Sequence, residues 1–455
     1  SFYMDRPDGS LTRRHRIQGD LVRRAKFHGI VYRGFMSSEL SYTEKGIPVK
    51  PVHYRRSVER PFTAAERDKT TILIGGLTKR HEQFIKAVFE GGGYRCEVLP
   101  TPDLNAFHIG KEYCNNGQCN PAYFTAGSLI QSLMDLEAQG HSRREIEDRY
   151  VFFTAGCCGP CRFGMYDSEY RLALENSGFG GFRVLTFQQD DGVKQKQTDP
   201  GLKFTLDMGL GMLNAVNLGD VLNDLTYKIR PYEVNPGETD RAFELCVRDL
   251  CEHLRNHKVV DPLNRVPPWL AARMNGHRTL RQTLSIMYKF HHYLHGRAYR
   301  EVLERCRARI NGITLDRTRV KPIVKIIGEF WAQTTEGDGN YRMFSFLEQE
   351  GAQAYPEPLG TWITYLLANG KLRLYPRRGL DKQYDEPGRW EIRRRLASEL
   401  DFQRKRLMFS CGERMYAREH RRVASVFKGL SKNLVSQSKL AHLARDFYDP
   451  MARGG

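Results

Sequence analysis

Between Thr71 and Phe187, short apolar runs alternate with stretches of helical spacing, and this alternation constrains the chain more than any other feature. Thr71-Ile-Leu-Ile74 reads as a buried strand closed by Gly75-Gly76. Gln83–Phe89 then places apolar residues at helical intervals until Gly91-Gly92-Gly93 stops it. Tyr94–Leu99 predicts a second strand ended by Pro100, Tyr150–Thr154 a third and Phe182–Phe187 a fourth, with helices over about 124–137 and 168–177. Pro121 or Thr125 lies near the start of the first of these helices. Short apolar strands separated by helices predict an α/β fold with a parallel sheet covered on both faces.

Further along, the strand pattern disappears. Leu206–Tyr227, Ala242–Leu254 and Leu280–Arg309 show helical spacing, which predicts a helical insertion over 204–319. A second α/β unit is expected from about residue 320, where Ile323–Ile327 reads as a strand and Met343–Gln349 as a helix stopped by Gly351. A long basic helix is expected over about 389–427. The chain thus divides into a basic segment (1–69), an α/β domain (70–203), the helical region (204–319) and a second α/β domain with long basic helices (320–455).

The net charge of +18 lies at the two ends. Residues 1–70 carry 15 basic and 8 acidic side chains, residues 371–455 carry 21 and 10, and the stretch between is balanced with 35 of each. Solvated helix faces or a docking surface for an acidic partner account for this excess, and no zinc-finger, RNA-recognition or helix-turn-helix pattern makes nucleic acid the expected ligand. No apolar run approaches the ~18 residues of a membrane span, the first thirty residues have no signal-peptide core, and ten cysteines in 455 residues are too sparse for a secreted disulfide scaffold. The composition fits a cytoplasmic protein.

Five of the ten cysteines form two groups: Cys114 and Cys119 in GKEYCNNGQCNP, and Cys157, Cys158 and Cys161 in TAGCCGPCRFGMY. Both groups are expected in loops that follow strands and lead into helices, at the carboxyl edge where open α/β sheets place ligands. Soft thiolates projected from tight Gly- and Pro-containing loops suit an iron–sulfur cluster, since the backbone there can donate N–H bonds to sulfur. A structural zinc, a redox-active dithiol at Cys158-Gly-Pro-Cys161 and inert buried thiols are also compatible with the spacing.

The stretches GKEYCNNGQCNPAYFTAGSLIQSL (110–133), YVFFTAGCCGPCRFGMYDSEYRLAL (150–174) and VKIIGEFWAQTTEGDGNYRMFSFLEQEGA (324–352) resemble the superfamily of 2-hydroxyacyl-CoA dehydratase subunits. The closest branch is that of CoA-enzyme-activase-associated and double-cubane cluster proteins. GGLT (75–78) and the Gly219-Asp220 helix are similar to the same branch. The resemblance implies Rossmann-like domains around a cubane or double-cubane iron–sulfur cluster. It also implies single low-potential electrons delivered by a separate ATP-hydrolysing iron–sulfur activase, and their use in a difficult reduction or a radical dehydration. The chain would then be a reductase or a dehydratase-like lyase component, a homo- or hetero-oligomer or part of a longer polypeptide, using ATP only through its partner. It implies Cys114, Cys119, Cys158 and Cys161 as ligands, with Cys157 and Cys411 as weaker candidates. It further implies that a glycine-rich segment and another cysteine motif follow Gly455 in relatives, so the second α/β domain is expected to be incomplete. The alternative is a non-catalytic basic scaffold that binds zinc or nucleic acid.

The remaining candidates are weaker. Glu329, after a predicted strand, and Arg162, directly after Cys161, are candidate catalytic residues. Cys96, Cys246, Cys251 and Cys306 fall on a strand and helices where core thiols are expected. Gly209-Leu-Gly211 lies within helical spacing and lacks a third glycine, no P-loop occurs, and His291, His292 and His295 read as one polar helix face.

Overall fold

The computed structural model describes residues 59–156, 162–188, 200–257, 278–327, 330–377 and 391–427, together with short strand segments at 41–42, 48–49 and 192–193. Two units separate at Val58/Glu59. In the first, β1 (Ser41–Tyr42) pairs antiparallel with β2 (Pro48–Val49). Everything below concerns the second unit, which begins at Glu59. Residues 59–66 already belong to it: the Glu59 carboxylate accepts from the Val184 amide at 3.2 Å, and Glu66 pairs with the fully buried Arg183 at 3.2 Å.

The sheet runs in the order β4-β3-β5-β6-β7, formed by β3 (Thr71–Ile74), β4 (Arg95–Val98), β5 (Tyr150–Gly156), β6 (Arg183–Gln188) and β7 (Gly192–Val193). The first four strands are parallel, with Thr71 opposite both Arg95 and Tyr150, and β7 turns back antiparallel on β6. The connection from β3 to β4 passes through α1 (Lys79–Gly91). The chain reaches β5 through α2 (Leu104–Tyr113), α3 (Asn120–Ala138) and α4 (Arg143–Arg149), and reaches β6 through α5 (Tyr166–Asn176). Helix α1 buries Phe84, Val88 and Phe89 in one core, while α3 and α5 bury Leu129, Ile130, Tyr170 and Leu174 in another. The sheet is therefore doubly wound, and its direction of winding reverses between β3 and β5. Open α/β sheets place their ligands at the carboxyl edge beside such a reversal.

Local chemistry explains the helix starts. Thr78, Asp103, Ser142 and Thr205 each cap a helix by accepting a backbone N–H, and Glu145 completes a capping box with Ser142. The helical region consists of α6 (Leu206–Ile229), α7 (Glu238–Asn256), α8 (Arg278–His295) and α9 (Arg297–Asn311). Helices α6, α7 and α9 share the core of α1. The expected single helix over Leu280–Arg309 is in fact two. Gly296 caps α9, and a Cβ there would strike the His292 carbonyl, so the chain turns at that point.

The second α/β unit contains β8 (Ile323–Lys325), α10 (Phe330–Thr334), α11 (Met343–Gln349) and β9 (Gln353–Tyr355). Strands β8 and β9 are parallel, with Ile323 opposite Gln353. Helices α12 (Leu359–Arg377) and α13 (Glu391–Val426) follow, the latter being the expected long basic helix. Among the described residues, no helix is long and apolar enough to cross a membrane.

Candidate functional site

The first cysteine pair brackets one tight loop. Cys114 ends α2 and Cys119 caps α3, so the pair lies at a helix–helix corner rather than directly after a strand as the sequence suggested. Residues 104–113, expected only as loop, form a short helix of ten residues, α2. Two glycines shape the corner: a Cβ at Gly110 would land on the Tyr123 carbonyl, and one at Gly127 on the Ala106 carbonyl. Backbone therefore packs on backbone where α2 crosses α3.

Between the cysteines, Gly117 takes a left-handed φ of 80°, open to glycine at little strain. The loop is then clamped by side chains. The Tyr123 hydroxyl accepts from the Gln118 amide and donates to the Asn115 carbonyl, both at 3.0 Å. The buried Glu169 carboxylate accepts from the Asn115 amide at 3.2 Å, the Asn115 side chain at 3.0 Å and the Gln118 side chain at 2.7 Å. Burial, aided by the Glu169 charge, pushes the Cys114 thiol up to about 12, so it is protonated at neutral pH.

Cys119 is half-buried, and its Sγ lies 3.4 Å from the Tyr166 hydroxyl at the start of α5. That contact ties the loop to the helix that follows residues 157–161. Tyr170, one turn further on, lies against Thr125 of α3 and Thr154 near the end of β5. Loop 114–119, the end of β5 and the start of α5 therefore converge at one edge of the sheet. Cys157, Cys158, Cys161 and Glu329 lie outside the described residues, and Arg162 opens a short 3-10 turn (Arg162–Met165).

Soft thiol donors on a preshaped loop suit a thiolate-bound metal, and Cys114 and Cys119 fit that requirement. They are two donors of a set that needs more. Among the described residues no three His, Cys, Asp or Glu side chains gather as a metal site. The other described cysteines lie apart from the loop. Cys246 and Cys306 face one another in the helical core, each Sγ 3.8–3.9 Å from the other's carbonyl oxygen. Cys251 approaches the Gln83 carbonyl at 3.6 Å, Cys96 is buried in β4, and Cys411 is exposed on α13. Gly209 and Gly211 lie within α6. His295 pairs with Glu419 at 3.3 Å, and His291 and His292 lie on the same helix.

Sequence reasoning missed a second polar node on the same edge. Asn223 Nδ2 donates to Thr78 Oγ1 at 2.9 Å, and Thr78 Oγ1 lies 2.7 Å from His81 Nδ1. His81 Nε2 faces two acceptors, Asp220 Oδ1 at 3.2 Å and the Val216 carbonyl at 3.3 Å, so it carries the ring proton. Nδ1 is then left to accept from Thr78. Asp220 also accepts from the amides of Leu359 and Gly360 at 2.6 and 2.8 Å. His81 and Asp220 are 2% and 3% exposed, and a Cβ on Gly219 would overlap the His81 ring.

The cleft beside this node offers only about 20 Å³ of space, enough for one water and too little for a substrate. The node is therefore a structural lock that joins α1, α6 and the start of α12. A signal for it exists in the sequence: Asn214, Asn217, Asp220 and Asn223 recur every three residues along a helix that is otherwise apolar.

Fold and loop together define a doubly wound α/β protein with a cysteine-bracketed corner at its carboxyl edge. No protein-family profile, no curated protein and no solved structure matches the chain.

Proposed function

We propose that this chain is a cytoplasmic iron–sulfur protein in which Cys114 and Cys119, together with Cys158 and Cys161, hold a cubane-type cluster. Electrons would come from a separate ATP-hydrolysing iron–sulfur activase and be used in a difficult reduction or a radical dehydration of the 2-hydroxyacyl-CoA dehydratase kind. The observation that carries this reading is the clamped loop 114–119, with a cysteine at each end and Cys119 touching the residue that opens α5. The cluster, when bound, supplies one-electron chemistry at low potential.

The chain's own residues contribute the rest. Tyr123 and Glu169 hold the loop backbone in a single shape, which orients both thiols before any metal arrives. The Tyr166 hydroxyl lies within hydrogen-bond reach of the Cys119 sulfur, where it would orient the sulfur and tune a bound metal. Phe124 packs on Trp331 at 5.2 Å between ring centres, so segment 330–340 of the second α/β unit covers this end of α3 and limits water there. The basic α13 offers a surface to an acidic activase.

Anaerobic purification and reconstitution, followed by iron and sulfide analysis and electron paramagnetic resonance, tests the reading. Iron and sulfide should be retained by the wild type and by Cys246→Ser, and lost in Cys119→Ser. A colourless, iron-free protein after reconstitution would overturn it, as would stoichiometric zinc in place of iron or an unchanged iron content in Cys119→Ser.

A further inference from the structure

A groove separate from the cysteine corner runs between α1, α7 and segment 336–345, and offers about 630 Å³ of space, within the range of small-molecule sites. Seven of its lining residues are basic and three acidic. Three of the arginines are neutralised within the protein: Arg230 by Glu348 and Asp240 at 2.9 and 3.0 Å, Arg255 by Glu90 at 2.7 Å, and Arg342 by Asp338 at 2.8 Å.

Lys79 and Arg80 are different. Among the described residues neither has a carboxylate within ion-pair distance. Both occupy the first turn of α1, where the helix dipole disfavours cations and acidic residues are the stabilising choice. The Arg80 side chain is half-buried in the groove wall, and burial pulls its pKa below the usual arginine value. Its protein partners are one amide oxygen, Asn223 Oδ1 at 2.8 Å, and the face of Phe243 at 5.5 Å. Among the described residues one of its five N–H donors meets a protein acceptor, which leaves the fork free for a bidentate one. The carboxylate that acts most strongly on Arg80 is that of Glu336, which reaches the Lys79 amide at 3.4 Å.

We propose that this groove binds a small oxyanion-bearing ligand, phosphoryl or dicarboxylate, on Arg80 and Lys79, with Glu336 occupying the anion's place until the ligand displaces it. Such a charge-assisted fork to Arg80 satisfies donors the fold leaves open. It also explains why two cations sit at the positive end of a helix. The ligand is defined here by its charge and geometry. The site shares no residue with the cysteine loop, so its fate is independent of the cluster reading.

Isothermal titration calorimetry on the full chain at low salt, with pyrophosphate and succinate in separate arms, provides the test. At least one anion should bind saturably, and the tighter arm assigns phosphoryl or dicarboxylate chemistry. Lys79→Ala should weaken binding by about tenfold, the effect of one lost charge contact. Glu336→Gln should tighten it, because the competing carboxylate is gone; a variant that merely damaged the fold would weaken it. No saturable binding of either anion at millimolar concentration would overturn the proposal. So would binding that is unchanged in Lys79→Ala or weakened in Glu336→Gln.

Discussion

Two polar nodes occupy the carboxyl edge of one sheet, and they are built in opposite ways. The cysteine corner is short-range: its clamps join Gln118 to Tyr123 five residues away and to Glu169 within the next crossover. The His81–Asp220 lock is long-range, drawing on Thr78, Asn223 and the Leu359 amide across separations of 139–145 residues. The first presents half-buried sulfur beside loops, whereas the second is closed against all but a water. Proximity to a functional edge therefore does not by itself make a polar cluster functional. What separates the two nodes is access, and whether each donor already has its partner.

The contrast would break most visibly at Asp220. Asp220→Ala leaves the Leu359 and Gly360 amides buried without their acceptor and His81 with the Val216 carbonyl alone, and should lower stability by about 2–5 kcal/mol, as read by urea denaturation. A loss below about 1 kcal/mol would show that the lock is incidental, since that is the level of a single ordinary hydrogen bond.

A pH titration of stability sharpens the same side. Burial pushes Glu82, next to His81, up to about 8, even though the Leu77 amide donates to it at 2.9 Å. Because the folded protein holds this proton more tightly than the unfolded chain, stability is highest below about 4.5 and falls as pH rises towards 8, by at most about 1.4 kcal/mol per pH unit. His253 opposes this at lower pH. Burial lowers it to about 4, so its contribution is complete above 6.5 and is lost as pH falls towards 4. Glu82→Gln should flatten the fall between pH 5 and 8 and leave the acid limb intact.

The smallest effect is expected at the open node. Tyr123→Phe removes one acceptor and one donor from a loop that water can reach, and should cost about 1 kcal/mol. Hydrogen exchange should nevertheless rise at the Gln118 amide. Unchanged exchange there would mean that Tyr123 does not shape the loop.

The two nodes also differ in how far the sequence revealed them. Strands β3 to β6 and helices α6 and α7 were legible because their apolar spacing repeats over at least a turn or a strand length, and α13 as one long, strongly basic run. The cysteine loop was legible because its residue types are rare and close together. Helix α2 was hidden by its shortness, and the break at Gly296 by a single glycine in a run that otherwise continues. The Thr78–His81–Asp220 lock was hidden for a different reason. Thr78 and Asp220 fall in stretches that the family resemblance marked, but only the topology brings a helix cap, a histidine one turn later and an aspartate on α6 together. Glu169 escaped in the same way, as one acidic residue in a first helical turn where acids are common.

The glycine-to-carbonyl crossing of α2 and α3 bears on the order of assembly. Its contacts join Ala106 to Gly127 and Gly110 to Tyr123, neighbours along the chain, so the ends to be brought together are never far apart. The Asp220 contacts must wait until residues beyond 350 have been placed. On this ordering the crossing of α2 and α3, with a thiol at each end of the loop between them, takes shape before the Asp220 lock can close.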